Sequence, residues 1–392
     1  MSKFSNFHDV PVVVLDELVQ LGDIELGRGN VISKIDIREN EGLYPIYSSS
    51  SKNMGMMGRY GKFMFDEELL SWSVDGGGTF FYRPKHKFSI TNVSGYMRVN
   101  QKKLDYKFLY NILQYQHRFL IFDYQNKAHP SVIRELYEIP ILPLPEQKKI
   151  ASILNSVDEV IKITQKQINK LQDLKKSTMY EFFINYIAKT GLKDNRKSFS
   201  LSNLVSRIRT IENNEVKNIL TISSTRGWLE QSERWSKKMA GESLKKYTKL
   251  KKGDFSYNRG NSKTFPYGCI FRMDKWDEAV VPNIYHSFEI TNTQVDSNYL
   301  QQYFWSGALD KQLRKVLTSS ARDDGLLNIK ADTFFSLNVD LPSLSEQKKV
   351  ASILTSMDKT IDDKKRKLTQ IQFLKISLMQ DLLTGKVRVK VN

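Results

Sequence analysis

The 13 residues from Glu146 to Asp158 read EQKKIASILNSVD, and those from Glu346 to Asp358 read EQKKVASILTSMD, a shift of 200 positions. Ten of the 13 positions are identical, and two of the three exchanges swap one apolar residue for another. Such a repeat constrains the architecture first, because both copies must build the same local structure. Each copy follows a proline-containing segment, PILPLP or DLPSLS, starts with Glu and continues in strong helix formers, which is how a helix N-terminus is written. Apolar residues then recur at heptad spacing. In the second copy one seam carries Leu354, Ile361, Leu368 and Leu382, and the other carries Val350, Met357, Ile371 and Leu378. The first copy answers with Leu154, Ile161, Ile168 and Phe182, and with Ile150, Val157 and Leu171. Polar interruptions coincide as well, Lys175 with Lys375 and Thr164 with Lys364. Matching stripes of this length predict two long helices packed on each other as a coiled coil, against the alternative that each stripe packs on its own domain. A helix from Glu146 to about Ile187 would be roughly 60 Å long, the length of about 17 base pairs, and would serve as a rigid spacer.

The repeats divide the chain into a domain at 1–145, a helix at 146–190, a second domain at 191–345 and a second helix at 346–392. The first domain has β-rich pieces (GLYPIYSSS, KFMFDEELLSWSV, TFFYRP, SGYMRVN) broken by Gly, Asn and Ser turns, then the helical DYKFLYNILQYQHRFLIF. The second keeps that order: NILTISSTRG, FSYNRG, YGCIFRM and YHSFEI, then the helical SNYLQQYFWSGALDKQLRKVL. Even the openings correspond, VLDELV at Val14–Val19 with SLSNLV at Ser200–Val205. The predicted fold class is α+β, with two similar mixed α/β domains separated by two long helices packed as an antiparallel coiled coil.

Composition narrows the function. With 40% hydrophobic and 11% aromatic residues the 392-residue chain can build packed cores. Its 60 Lys and Arg against 43 Asp and Glu give a net charge of +17, which favours a polyanionic partner, nucleic acid first among them. Cys269 is the single cysteine, so neither a disulfide nor a cysteine-built zinc cluster is available, and a reducing setting fits. The start, MSKFSNFHDVPVVVLDELV, has no apolar run of signal-peptide length, and no stretch reaches the roughly 20 apolar residues of a membrane span. The expectation is a cytoplasmic protein that does not engage a membrane.

Catalytic machinery is missing from the text. No Asn/Asp-Pro-Pro-aromatic element is present to hold a target amine. GRYGKF fails as a phosphate-cradling loop, because Met56 stands where the first Gly belongs and Phe63 follows Lys62. DGGGTFF at Asp75–Phe81 lacks the following Lys. The five histidines are scattered, with no pair at metal-ligand spacing.

The repeated EQKK-(Ile/Val)-ASIL helix starts, each placed after a domain and preceded by Pro–Leu text, resemble the specificity subunits of type I restriction–modification enzymes. The resemblance covers nearly the whole chain. It implies two target recognition domains that each read half of a split double-stranded DNA site, with paired helices that set the spacing. It also implies docking of two modification subunits, adenine-N6 methyltransferases using S-adenosylmethionine, and possibly of two restriction subunits using ATP and Mg. No catalytic residue, cofactor or metal is then expected on this chain. The alternatives are a DNA-binding scaffold or regulator without a methyltransferase partner, and a nuclease in its own right.

Base reading calls for Arg and Lys with Asn, Ser or aromatic residues on Gly-rich loops. In the first domain SSSSKNMGMMGRYGK offers Ser50, Lys52, Asn53, Arg59 and Tyr60, and YQNKAHPSV offers Asn126, Lys127, His129 and Ser131. In the second, SSTRGW offers Thr225 and Arg226. YNRGNSK adds Tyr257, Asn258, Arg259, Asn261 and Lys263, and TSSARDDG adds Ser319, Ser320 and Arg322. Partner contact is expected at Glu146, Gln147, Lys148 and Lys149 and at Glu346, Gln347, Lys348 and Lys349, since identical chemistry at two places suits two identical partners.

Overall fold

The computed structural model of the chain describes residues 10–50, 52–75, 77–123, 127–185, 196–211, 218–234, 246–317 and 327–391. Two compact units result, Met1–Lys166 with Arg366–Asn392, and Gln167–Lys365. The division passes through the middle of both repeat helices, so each unit holds one domain and half of each helix. This partition differs from four consecutive segments.

In the first unit the chain forms β1 (Val12–Val14), α1 (Leu15–Gln20), β2 (Ile24–Arg28), α2 (Lys34–Glu39), β3 (Tyr44–Tyr47) and β4 (Met56–Tyr60). There follow β5 (Phe65–Ser73), β6 (Phe80–Ile90), β7 (Ser94–Val99), α3 (Tyr106–His117), α4 (Pro130–Leu136) and β8 (Glu138–Pro140). Six strands make one sheet in the order β2-β7-β5-β6-β3-β4, antiparallel except where β3 meets β6. Alternation along β5 and β6 sends Leu70, Trp72 and Phe80 to the face covered by Phe108, Leu109, Ile112 and Leu113 of α3. Phe65, Leu69, Phe88 and Ile90 form a smaller cluster of their own. The segment read from sequence as a loop at Lys127–Ser131 runs into α4 with Pro130 at its first position, where a missing N–H costs nothing.

The second unit contains β9 (Lys197–Ser200), β10 (Val205–Arg207), β11 (Leu220–Ser223), β12 (Gly227–Glu230), α6 (Gln231–Arg234), β13 (Thr248–Lys251), β14 (Phe255–Asn258) and β15 (Cys269–Arg272). It continues with β16 (Glu278–Val281), β17 (His286–Ile290), α7 (Ser297–Trp305), α8 (Asp310–Val316), α9 (Ala331–Phe335) and β18 (Asn338–Leu341). The main sheet has four strands in the order β10-β17-β14-β15, beside three two-stranded ribbons, β11-β12, β13-β16 and β9-β18. Phe255 stacks on Phe288 at 5.4 Å in the core, with Phe304 and Phe334 against them. The helix predicted over SNYLQQYFWSGALDKQLRKVL breaks in two, because Gly307 adopts a left-handed φ of 78°. Burial pushes the Cys269 thiol up to about 12, which leaves it inert.

The openings that correspond in sequence also correspond in structure. Leu15 N donates to Tyr137 O and Leu201 N to Leu337 O, both at 2.8 Å. Each contact sits beside the ribbon that delivers the chain to a repeat helix, β1-β8 in one unit and β9-β18 in the other.

The repeat helices are α5 (Leu144–Phe183) and α10 (Leu344–Leu383), 40 residues each, or about 60 Å. In the first unit Asp158 pairs with Lys375 and Glu146 with Arg388, both at 2.7 Å. In the second, Lys175 pairs with Asp358 at 2.6 Å and Lys364 donates to Gln167 at 2.7 Å. In the second unit rising numbers on α5 meet falling numbers on α10, so the packing is antiparallel, and in the first the trend continues past the end of α10 to Arg388 beside Glu146. Of the predicted seam residues Ile150, Leu154, Ile168, Leu354, Ile361 and Leu382 are buried and the other nine are half-buried; Ile150, Leu154 and Leu382 also join the core of the first domain, and Leu354 that of the second. Thr164, buried in the seam, gives its hydroxyl hydrogen to Val160 O at 2.7 Å. The lysines that interrupt the heptads are therefore contacts between helices.

Candidate nucleic-acid interface

Each repeat helix is anchored to its domain by one glutamine. Gln147 Nε2 donates to Lys103 O and Leu142 O at 2.8 Å each, and its Oε1 accepts from Asp105 N at 2.8 Å. Gln347 repeats all three bonds, with Gln294 O, Pro342 O and Asp296 N, at 2.9 Å each. Asp105 and Asp296 are the N-caps of α3 and α7, so the glutamine ties the start of the long helix to the cap of the domain helix. Both glutamines are buried, and their amides are taken up inside the domain. The two glutamates diverge: Glu146 is buried in a bidentate pair with Arg388, whereas Glu346 is exposed and its backbone N–H bonds Ser343 Oγ. Lys148, Lys149, Lys348 and Lys349 are exposed.

The first candidate loop of the first domain links β3 to β4. Ser50, Lys52, Asn53 and Arg59 are exposed there. Asn53 and Met54 carry φ of 48° and 52° and are the only non-glycine residues in the left-handed region among those described. For a bulky side chain such as Met54 that costs about 1–2 kcal/mol. Arg59 donates from Nη1 to Leu43 O at 2.7 Å. Tyr60 departs from the expectation of a surface contact: it is buried, with its hydroxyl 2.7 Å from Ser89 Oγ. In the second candidate stretch Lys127 Nζ lies 3.1 Å from Asp75 Oδ1, an ion pair without hydrogen-bond geometry. His129 is the N-cap residue of α4 and Ser131 is exposed in its first turn. Asn126 lies outside the described residues.

In the second domain Thr225 and Arg226 stand exposed at the tip of the β11–β12 hairpin, which Gly227 closes at a φ of 70°. Ser223 Oγ accepts from Thr225 N and Arg226 N, which fixes the turn. Asn261 and Lys263 are exposed as well. Their neighbours are committed to the fold. Tyr257 is fully buried, donates to Tyr267 O at 2.6 Å and stacks on Phe334 at 4.6 Å, which places it in the core and not on a loop. Asn258 donates to Ile222 O and accepts from Gly260 N, while Arg259 braces two other segments by donating to Ile284 O and Ile329 O. Ile329 O lies 3.2 Å from His286 Nε2, and burial pushes that imidazole down to about 4. Ser319, Ser320 and Arg322 lie outside the described residues.

Sequence reading missed Arg83, a cation 2% exposed on β6 directly under the β3–β4 loop. Its flanking aromatics, Phe81 and Tyr82, were the only signal available. Among the described residues no group of three or more His, Cys, Asp or Glu is placed to hold a metal ion. No helix among them is long and apolar enough to cross a membrane.

Comparison with known proteins yields one family. The model described as "Type I restriction modification DNA specificity domain" matches twice, over residues 13–173 and 206–372, each time running from a domain into its repeat helix. The MjaVIII specificity subunit of a type I restriction enzyme from Methanocaldococcus jannaschii is 28% identical over 426 residues, covering 99% of this chain and 96% of that one. The MpnII specificity subunit of Mycoplasma pneumoniae is 30% identical over 188 residues, 47% of this chain and 56% of that one. In fold, the S subunit of a type I restriction–modification system from M. genitalium superposes with a TM-score of 0.61 at 16% identity, covering 96% of each chain. A chain from a study of complex assembly and conformational transition of the type I system gives 0.52 at 10% identity, covering 96% of this chain and 98% of that one. Two matches to the family model, which together span most of the chain, and a relative alike from end to end show that this protein belongs to the type I restriction–modification DNA specificity family, as a DNA-recognition subunit and not a catalytic one.

Proposed function

We propose that the two domains each read one half of a bipartite site on double-stranded DNA, and that the paired helices set the distance between the halves. Lys148 and Lys149, with Lys348 and Lys349, dock two identical modification subunits, and through them restriction subunits. The chemistry belongs to those partners: S-adenosylmethionine supplies the methyl group for adenine N6, and ATP with Mg drives the restriction subunits. This chain binds, orients and spaces.

The observation that carries the reading is the doubled helix start. At Gln147 and Gln347 the same three hydrogen bonds seat the helix, although the sheets of the two domains differ in strand number and order. Beside each glutamine two lysines stay in solvent. Two identical partners need such a matched pair of places, and two unlike DNA halves need readers that differ. The net charge of +17 suits the polyanion.

The test maps methylated adenines in host DNA with and without this chain, with the modification subunit expressed in both. A two-part motif of fixed spacing that vanishes on deletion supports the proposal. An unchanged methylation map refutes it and leaves a DNA-binding scaffold without a methyltransferase.

A further inference from the structure

Under the β3–β4 loop of the first domain sits a cation that strand patterning does not account for. Arg83 Nε donates to Ser71 Oγ at 2.9 Å and Nη2 to Met54 O at 2.8 Å. The guanidinium lies 3.6 Å from the Tyr47 ring centre and 4.7 Å from that of Phe81. Burying such a charge is costly and is ordinarily offset by a carboxylate, yet these oxygen acceptors are a hydroxyl and a carbonyl. Burial lowers the guanidinium pKa to about 10, so Arg83 still carries its charge at neutral pH.

What Arg83 holds is the strained turn at Asn53 and Met54. The loop is fastened at three main-chain oxygens: Gly55 O accepts from Ser48 N at 2.7 Å, Ser49 O from Ser73 Oγ at 2.8 Å, and Met54 O from Arg83. Gly55 cannot be enlarged, since a Cβ there would come within 2.8 Å of Ser48 O. Fastening by main chain leaves the side chains of Lys52, Asn53 and Met54 outside, and Met54 is 59% exposed. The guanidinium packs on Tyr47 and Phe81, but packing alone does not call for its hydrogen bond to Met54 O, which keeps a methionine in a disfavoured conformation and in water. Strain that the surroundings enforce in this way collects at binding sites.

We infer that Arg83 is a positioning residue for DNA recognition, holding the 52–54 turn so that Asn53 meets a base edge and Met54 makes an apolar contact with the bases in a groove of the half-site read by the first domain. Asparagine offers a donor and an acceptor side by side to a base edge, and methionine serves elsewhere as an apolar wedge at base steps. Lys52, next to them, suits a flanking phosphate. The inference rests on the two-reader function proposed above.

The test maps the methylated sites made by the full chain with its methyltransferase, for the natural chain, Met54→Gly and Arg83→Lys, together with thermal unfolding of each. Glycine is at ease at positive φ, so Met54→Gly is expected to unfold no earlier than the natural chain. It is nevertheless expected to relax base preference on the order of tenfold at one or two positions of a single half-site. Arg83→Lys is expected to relax the same positions, because a lysine lacks the fork that reaches Ser71 and Met54 together. The other half-site keeps its sequence in both variants. Unchanged preference at every position in Met54→Gly overturns the inference, whatever Arg83→Lys does, and equal relaxation of both half-sites overturns it too. If the natural chain itself yields no two-part motif, it is the two-reader function that fails.

Discussion

Replacing Gln147 by alanine should destabilise the first unit severely for a residue that lies on a helix start. The side chain is fully buried and makes three hydrogen bonds of 2.8 Å, all to main-chain atoms. Alanine leaves Asp105 N–H, Lys103 O and Leu142 O without that partner; a stranded buried group, as at Leu142, costs about 1–3 kcal/mol, and the part-buried groups at Asp105 and Lys103 cost less. Water reaching part of the vacated space recovers some of this, so the net loss should be about 3 kcal/mol, or roughly 6–12 °C for a unit of this size. Gln147→Glu sharpens the test. Glutamate keeps the acceptor for Asp105 N–H but turns an oxygen toward two carbonyl oxygens, so an isosteric change should cost at least as much as alanine. The assay is unfolding of the full chain, followed by the fluorescence of Trp72, which is buried under α3 in the first unit. Gln347→Ala should produce the same loss in the second unit, through Gln294 O, Pro342 O and Asp296 N. If Gln147→Ala shifts stability by less than about 0.5 kcal/mol, the size of an ordinary surface substitution, the hydrogen-bond account is wrong and the repeated glutamine serves something outside the domain.

Three further outcomes follow from the same contacts. Lys375→Asp sets two carboxylates against each other at Asp158, a half-exposed position, and should cost about 1–2 kcal/mol in the first unit; adding Asp158→Lys should restore most of it in denaturant titrations. Deleting 163–169 together with 364–370 preserves the register set by the 158–375 and 175–358 pairs, and removes one heptad, about 10 Å, from each helix. The methylated motif should then lose about 3 base pairs of spacing with both half-sites unchanged, and an unaltered spacing would refute the ruler. Burial, with Arg259 and Arg207 nearby, holds His286 down at about 4, so the unfolded chain takes the proton first. The stability contributed by its neutral ring is lost as pH falls from about 6.5 towards 4, near 2 kcal/mol between pH 7 and 5, and His286→Gln should flatten that dependence.

The long helices were legible because heptads are a periodic signal, and the ends found here, Leu144–Phe183 and Leu344–Leu383, sit the expected 200 positions apart. Lys175 and Lys375 were legible only as interruptions, because apolar periodicity says where a seam runs and not what a charge inside it meets. The burial of Gln147 could not be read, since its partners are main-chain atoms near residues 103 and 142 that carry no side-chain signature. Tyr60 and Tyr257 sit among Gly, Asn and Arg, the text of a DNA-reading loop, yet each lies on a strand and inside the fold, Tyr60 through the alternation along β4 and Tyr257 on β14, where Phe255, Ser256 and Tyr257 are all buried. Arg83 misleads in the opposite way, as a charged strand residue that belongs to the core. The sheets differ more than the strand signals suggested: the six-stranded sheet of the first domain becomes four strands and separate ribbons in the second. Strand-forming text does not specify which neighbour a strand will pair with.

Why the helix is kept while the domains diverge follows from its antiparallel pairing. Residues 158 and 358 are the same position of the repeat, as are 175 and 375. The pair Asp158–Lys375 and the pair Lys175–Asp358 are therefore one contact made twice, with the two copies exchanging roles. Self-complementarity of this kind is what a two-fold interface imposes on two identical chains, here written within one polypeptide. An exchange at Asp158 alone breaks one of the two pairs, and its mate in the other copy cannot compensate, because that mate is already engaged with Lys175. Gln147 and Gln347 are bound in a different way, each to the cap of a helix in its own domain. A domain can change its sheet and its loops freely only while it still presents that capped helix end. Divergence is thus free everywhere except where a domain faces the partner helix or the glutamine, and exposed Lys52, Asn53, Arg226 and Lys263 stand on parts left free in this way.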